Sequence, residues 1–359
     1  MGGLTVINSF DLSFYKGKRV FITGHTGFKG SWLCRFLLKA GADVTGYALA
    51  PAKPSLFDIS DIAGNMVSVT GDIRDLESLK AAFEKARPEI VFHLAAQPIV
   101  KESYKNPAYT YETNVMGTVN ILECIRESNS VRSFLNVTTD KVYLNREWEW
   151  GYRENEELNG FDPYSNSKSC SELVTGTYKN CYLNSVGVST ARAGNVIGGG
   201  DFSADRIVPD CIRAVTDGRK IAVRNPHSVR PYQHVLEALT AYLIIVQGQY
   251  ERPETAGCYN VGPDEGDCIT TAELTELFCK CWGEGAAWEN RSESNAPKEA
   301  NFLKLDCSRL KLVFGWKPVW HVEKAMDEVC RFTKVQLSGG DVSKEMDREI
   351  EEFLEDMSK

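Results

Sequence analysis

Tyr164 and Lys168 stand four residues apart in DPYSNSK. On a helix that spacing puts both side chains on one face, one turn apart. An ammonium beside a phenol favours the phenolate and draws its pKa down toward the working range. A tyrosine tuned this way can take the proton of a sugar or alcohol hydroxyl while a hydride leaves the carbon. A second reactive group lies in NVTTDKVYLN, residues 136–145. There Thr138, Thr139, Asp140 and Lys141 follow the apolar Phe134, Leu135 and Val137. Two hydroxyls and two adjacent charges at the end of a sheet strand suit a site better than a core. A third group is GHTGFKG, with glycines at 24, 27 and 30. Glycines allow a tight turn and close backbone approach to a pyrophosphate at the positive end of the next helix. Gly24, Thr26, Gly27, Phe28, Lys29 and Gly30 are therefore a candidate dinucleotide cradle.

These groups need a frame that brings them together. RVFITG (19–24) reads as a strand and SWLCRFLLKAGA (31–42) as a helix. Further strands are expected over 43–49, 66–75, 89–96 and 133–139, and a sixth begins within 186–198. Helices are expected over 76–86, near 111–128 and over 165–182. Strands alternating with helices of this length predict an α/β fold, a Rossmann-like doubly wound parallel sheet covered on both faces. Nearly continuous apolar strands such as EIVFHLAA fit that burial. The alternation fails after about residue 195. Helices are expected near 206–217, 234–248, 271–282 and 322–337, one more strand at 258–263, and a helix or solvated tail at the end. The expected organisation is a dinucleotide-binding domain over 1–190 with return segments from the second half. A smaller mixed α/β substrate domain over 191–340 and a C-terminal helix or tail over 341–359 complete it.

Length and composition agree. The 359 residues exceed one ordinary core, and 43% hydrophobic with 25% charged residues is normal for a globular chain. The net charge is −8 and no Lys/Arg cluster occurs, which argues against a nucleic-acid or anionic-membrane partner. No apolar run approaches the roughly 20 residues that span a bilayer. The first residues lack the order of a signal peptide, so a cytoplasmic location is expected. Eleven cysteines without a CxxC pair and five scattered histidines read as buried thiols and no metal site.

Cofactor choice stays open from the residues. The acid expected after the second strand is replaced by Tyr47, Ala48, Leu49 and Ala50, and Lys29 would suit a 2′-phosphate. GDIRD (71–75) should border the adenine pocket, with Asp72 accepting from the adenine amino group and Ile73 against the ring. Asp75 could equally be a helix cap.

Together, GHTGFKG, HLAAQP, NVTTD and DPYSNSK resemble the extended short-chain dehydrogenase/reductase family over about residues 18–335. The resemblance implies that Thr139 hydrogen-bonds the substrate O4, Tyr164 is the base and Lys168 the ribose-binding lysine. It implies that Leu94, Ala95 and Ala96 form the cofactor-ribose wall. Within that family the charged pair after the threonine resembles the sugar-nucleotide 4,6-dehydratases, where Asp-Glu is usual. Here the pair is Asp140-Lys141. That departure, with GHTGFKGSWL, TNVMGT, NREWEWGYRE, RAGNVIGGGD and RNPHSVRPYQHV, implies a dehydratase acting on CDP-glucose or a related nucleotide sugar, with NAD held and recycled. Asp140 would be the acid for the C6 hydroxyl and Lys141 the C5 base. A lysine base must be neutral, which a direct Asp140 contact opposes, so the two side chains are expected to diverge.

On the same basis Asn195 should meet the phosphate or sugar. Arg206 and Arg230 should clamp the diphosphate, since guanidinium matches phosphate bidentately. Gln97 and His234 are weaker substrate candidates, His234 being equally a helix-start residue with a packing role, and WEW (148–150) is expected to pack as a cluster. Alternatives are a nucleotide-sugar 4-epimerase or 4-reductase on the same scaffold, and an inactive NAD-binding scaffold. Members of the family pair through two helices, here expected at 111–128 and 165–182, giving a homodimer or homotetramer.

Overall fold

The structure is a computed structural model and describes residues 10–283, 285–292 and 303–359. Its frame follows from strands too apolar to face water. These are β1 (Arg19–Thr23), β2 (Asp43–Ala48), β3 (Val67–Thr70), β4 (Ile90–His93), β5 (Ser133–Val137) and β6 (Gly187–Ala193). Every residue of β4, β5 and β6 is buried, as strands covered on both faces require. After β7 (Asn195–Ile197), β8 (Ile221–Val223) and β9 (Val229–His234), β10 (Cys258–Val261) returns from the second half. The seven-stranded sheet runs β10-β6-β5-β4-β1-β2-β3 with all pairs parallel. β11 (Cys268–Thr270) joins β9 and β7, and β12 (Trp288–Asn290) pairs with β8.

The helices follow their apolar stripes. α1 (Phe28–Lys39) buries Trp32, Leu33, Phe36 and Leu37 on one face of the sheet. The short α2 (Leu56–Ile59) lies against it. α3 (Leu76–Ala86) packs on the opposite face and is capped by Asp75, whose carboxylate accepts from Ser78 N. α4 (Val100–Lys105) and α5 (Pro107–Tyr111) lead through a π turn, Glu112–Met116, into α6 (Gly117–Glu127). The single helix expected near 111–128 is therefore longer, with Pro107 in its first turn and a five-residue π interruption. α7 (Pro163–Cys181) packs beside α6. α8 (Ile207–Thr216) follows β7, and α9 (Val235–Glu251) is buried from Val235 to Tyr250. A helix apolar all round belongs inside, and α9 lies under β5 and β6. Of its two buried amides, Gln249 is satisfied by Ser133, Phe134 O and Ser189, and Gln247 accepts from Asp11 N.

α10 (Thr271–Trp282), α11 (Ser308–Phe314) and α12 (Val322–Leu337) complete the second half. There Ile197, Val208, Tyr232, Phe278 and Val329 form a core cluster apart from that of the large sheet. The sixth strand, expected to begin within 186–198, runs to Ala193 and breaks at Gly194. β6 stays in the large sheet and β7 pairs with β9. The final segment is α13 (Val342–Met357), which buries Met346, Ile350 and Phe353 and pins itself to α1 through the bidentate Arg35–Asp347 pair. No helix among the described residues is long and apolar enough to cross a membrane.

His234 is part of this core and not of a substrate pocket. It is fully buried between Trp32 and Trp320, because α9 starts there and draws it inward as its N-cap. Its Nδ1 accepts from Leu236 N, which assigns the ring proton to Nε2, 3.4 Å from Glu349 Oε2. Burial pushes the Glu349 carboxyl well above its ordinary value, Glu328 adding to this, and pushes His234 down to about 3. Burial thus favours the uncharged form of both groups. A raised carboxyl pKa contributes stability that is full below the unfolded value and lost as pH rises toward the folded one. Glu349→Gln keeps the shape without the titration. Its unfolding temperature should exceed the parent's above pH 4.5, by a gap that widens as pH rises and closes below that value. A gap independent of pH in thermal melts would refute the assignment.

Candidate active site

The parallel register fixes where the chemistry sits. Thr23, His93 and Asn136 are paired across β1, β4 and β5, so the segments after them share one edge of the sheet. Past β5 the chain tightens into a 3₁₀ turn, Asp140–Val142, capped by Thr139. The Thr139 hydroxyl donates to Asp140 Oδ1 at 2.9 Å and accepts from Lys141 N at 3.4 Å. Asp140 is 1% exposed, and its Oδ2 is buried without a hydrogen-bond partner. The expected divergence of Asp140 and Lys141 is not observed. Lys141 Nζ lies 3.8 Å from Asp140 Oδ1, since both side chains leave adjacent residues of one tight turn. The contact is a loose ion pair beyond hydrogen-bond reach, and the lysine stays about one-third exposed while the acid is enclosed.

α7 supplies the tyrosine and lysine. Asp162 caps it, accepting from Ser165 N, and Pro163 opens its first turn. One turn further on, Lys168 Nζ donates to Val137 O at 3.1 Å, reaching under the end of β5. Tyr164 meets the Thr139 hydroxyl. The tyrosine is not lowered in this state, contrary to the expectation from YxxxK. Burial pushes its pKa up to about 12, aided by Asp140 and opposed by Thr139 and Arg206. Burial also brings Lys168 down to about 8 against the pull of Glu172. The lysine's charge is thus weakened by the same desolvation that raises the phenol.

Two more groups close the ring. Lys29 does not turn toward the end of β2, where a 2′-phosphate would lie. Its titration is governed by burial, then Arg206 and Lys168, against Asp140 and Asp201, and it is pushed down to about 7. Arg206 lies 3.4 Å from Asp201 Oδ2 and heads α8. Asn195 opens β7 opposite Tyr232, half-buried. Arg230 is buried, with Nη1 on Val229 O, and so is more enclosed than a free phosphate clamp. Gln97 is not directed to the site. Its Nε2 donates to Thr110, its Oε1 accepts from Ile99 N, and its own N–H meets Asn114, which ties its loop to α5 and the π turn.

The glycine turn fits a dinucleotide. A Cβ on Gly24 would sit 2.7 Å from Ala95 N, and one on Gly30 2.2 Å from Gly24 O. Gly27, the N-cap of α1, offers no side-chain cap, so the first N–H groups of the helix face the turn. Thr26 donates to Leu49 O and Phe28 packs by Gly198. Leu94 and Ala95 hydrogen-bond to Thr23 beside Gly24, and half-buried Ala96 continues that wall. At the adenine edge Arg74 clasps Asp72 at 2.7 Å and holds its carboxyl below the usual range. Ile73 is buried against Gly117 and belongs to the core. Trp148 stacks on Tyr152 and Tyr152 on Tyr143, a packed ladder, while Trp150 is exposed.

Sequence reasoning passed over Asp201 and Glu172. Glu172 carried a signal, since it follows Lys168 by four residues and shares its helix face. Asp201, in GGGD, carried none beyond loop composition.

The family model described as GDP-mannose 4,6 dehydratase matches residues 21–329. The chain is 45% identical over 353 residues to CDP-glucose 4,6-dehydratase of Salmonella typhimurium, covering 96% of this chain and 98% of that one. It is 32% identical to CDP-paratose 2-epimerase of Salmonella typhi over 72% of this chain and 82% of the relative. Among solved structures, dTDP-glucose 4,6-dehydratase from Bacillus anthracis in complex with NAD aligns with a TM-score of 0.75 at 20% identity, over 89% and 98% of the two chains. UDP-glucose 4-epimerase from Thermotoga maritima aligns at 0.77 and 22%, over 89% and 99%. Those two likenesses carry the fold, and the sequence matches carry the family. A doubly wound sheet with its reactive groups at one edge, matched so fully in sequence, belongs to the GDP-mannose 4,6 dehydratase family of nucleotide-sugar enzymes, within the extended short-chain dehydrogenases/reductases.

Proposed function

We propose that the protein converts CDP-glucose to CDP-4-dehydro-6-deoxyglucose and water, with NAD as a recycled cofactor. The carrying observation is the turn that holds Thr139, Asp140 and Lys141 together beside Tyr164. NAD, seated on the Gly24–Gly30 turn at the start of α1, would supply the hydride acceptor for C4 and the donor for C6. Thr139 holds O4, and Tyr164, as phenolate, accepts the O4 proton. Lys168 stands one turn below it and favours that phenolate. With C4 a ketone, the C5 proton is acidic, and Lys141 removes it. Asp140 gives its proton to the C6 hydroxyl, which leaves as water. The geometry of Asp140 supports this role, since its enclosed Oδ2 has no hydrogen-bond partner and can take up the C6 hydroxyl. Lys141 returns a proton to C5 as C6 is reduced. Asn195, Arg206 and Arg230 are the proposed nucleotide-sugar contacts, with Lys29 added from its placement beside Arg206.

The eleven unpaired thiols suit a reducing compartment, and we place the protein in the cytoplasm. Exposed Leu173 on α7 and Met116 ahead of α6 support a homodimer through these neighbouring helices.

The direct test is CDP-glucose turnover followed by the alkali-induced absorbance of the 4-keto-6-deoxy product. A product keeping its C6 hydroxyl would indicate an epimerase or reductase, and bound NAD without turnover a scaffold. Tyr164→Phe, Asp140→Asn and Lys141→Met should each lower kcat by about 10²–10⁴-fold. In D₂O, Asp140→Asn should return CDP-glucose deuterated at C5, and Lys141→Met should not. The reverse labelling would exchange the two roles. Light scattering should give a dimer for the parent chain and a monomer for Leu173→Asp with Met116→Asp. A monomeric parent at micromolar concentration would remove the proposed interface.

A further inference from the structure

Directly below the catalytic turn lies a buried ion pair that the reaction scheme leaves unused. Glu172 and Arg192 are 1% and 2% exposed and meet at 2.9 Å. Glu172 Oε1 accepts from Thr138 Oγ1 at 2.5 Å, and Oε2 from Thr190 Oγ1 at 2.7 Å as well as from Arg192. Arg192 in turn donates from Nη1 to the Tyr143 hydroxyl at 2.8 Å and to Glu154 O at 3.0 Å. Thr138 immediately precedes Thr139, and Tyr143 immediately follows the Asp140–Val142 turn. One carboxylate therefore holds the entry to the turn directly and its exit through a single guanidinium. Glu172 also lies one helical turn past Lys168 and is the opposite charge that supports its ammonium.

Building on the proposed reaction, we infer that Glu172 is a positioning residue. It anchors both ends of the Thr139–Asp140–Lys141 turn and faces the Lys168 ammonium. Buried charge pairs are weak stabilisers, because desolvation offsets their attraction, so stability alone does not explain one placed here. The four hydrogen-bond partners named above convert it into a rigid mount for groups that must sit within a fraction of an ångström of the sugar. The other titratable neighbours of Lys168 are Lys29 from α1 and His93 from β4, the latter pushed down to about 3 and so neutral. Asp140 and Tyr164 complete the site, and Arg192 on β6 is bound to Glu172 itself. Tyr111 and Glu123, from the helices packed on α7, bond to Asn166 and Tyr178.

The test compares the NAD-loaded parent with Glu172→Gln and with Glu172→Gln/Arg192→Met, which leaves no uncompensated buried charge if the single variant folds poorly. We expect kcat to fall at least tenfold with KM for CDP-glucose within threefold. The alkaline limb of kcat should move to lower pH, because removing the carboxylate lowers the Lys168 pKa further. Amide hydrogen exchange over residues 136–145 should quicken while β1 and β4 keep their protection. A variant that melts earlier but keeps the parent's kcat, alkaline limb and exchange in that peptide would make Glu172 structural only and overturn the inference. A parent inactive on CDP-glucose would remove the proposed function, and unchanged exchange would then still decide against the mount, while quickened exchange would support it.

Discussion

The site depends on a register. Parallel pairing of β1, β4, β5 and β6 aligns their carboxyl ends, and everything reactive is what the chain does next after leaving that edge. After β1 it makes the glycine turn, after β4 the Leu94–Ala96 wall, and after β5 the Thr139–Lys141 turn. A slip of one residue in β5 would move Thr139 off the edge and tear buried Ser133 from Val246 O and buried Asn136 from Ser171 and Thr175. Unpaired polar groups in a strand covered on both faces are costly, so the satisfied polar residues of the core hold the register of the site. The same edge is where α1 begins, so a pyrophosphate seat and a proton-transfer site share one boundary.

Concentrating ionisable groups there has an electrostatic consequence. Tyr164, Lys168 and Lys29 are all pushed toward their uncharged forms by burial, and the local charges only partly offset this. Lys168 and Lys29 are brought to about 8 and about 7, into the range where protons move with small driving force, while Tyr164 is held higher, at about 12. Glu172 works against that drift for Lys168. Farther away, burial puts the same pressure on Glu349 and His234 without the function.

Much of this was legible in the sequence, for reasons that can be named. The strands through 139 and the helices after them announce themselves by period and length, and GHTGFKG, YxxxK and TTDK fall where local spacing alone fixes a shared face or turn. What escaped depends on contacts between distant segments. YxxxK could not reveal that burial would outweigh the lysine, because desolvation is set by α9, β6 and the loops above. His234 reads equally as a substrate contact and as a packed helix start, and only the inward start of α9, which takes it to Glu349, 115 positions away, decides between them. The break at Gly194 was hidden for the same reason. Nothing in RAGNVIG shows that Pro231 and Asp140 crowd the glycine from two sides.

That glycine ties two halves of the molecule together mechanically. At Gly194 the chain leaves the large sheet for the small one, and a Cβ there would lie 2.9 Å from Pro231 Cγ and 3.3 Å from Asp140 Oδ2. The point at which the chain changes sheets therefore leaves no spare room between Pro231 and the Asp140 carboxyl. Any side chain larger than a hydrogen at 194 would press on the sheet crossing and on that carboxyl at once, so one backbone position carries both the topology and the shape of the site.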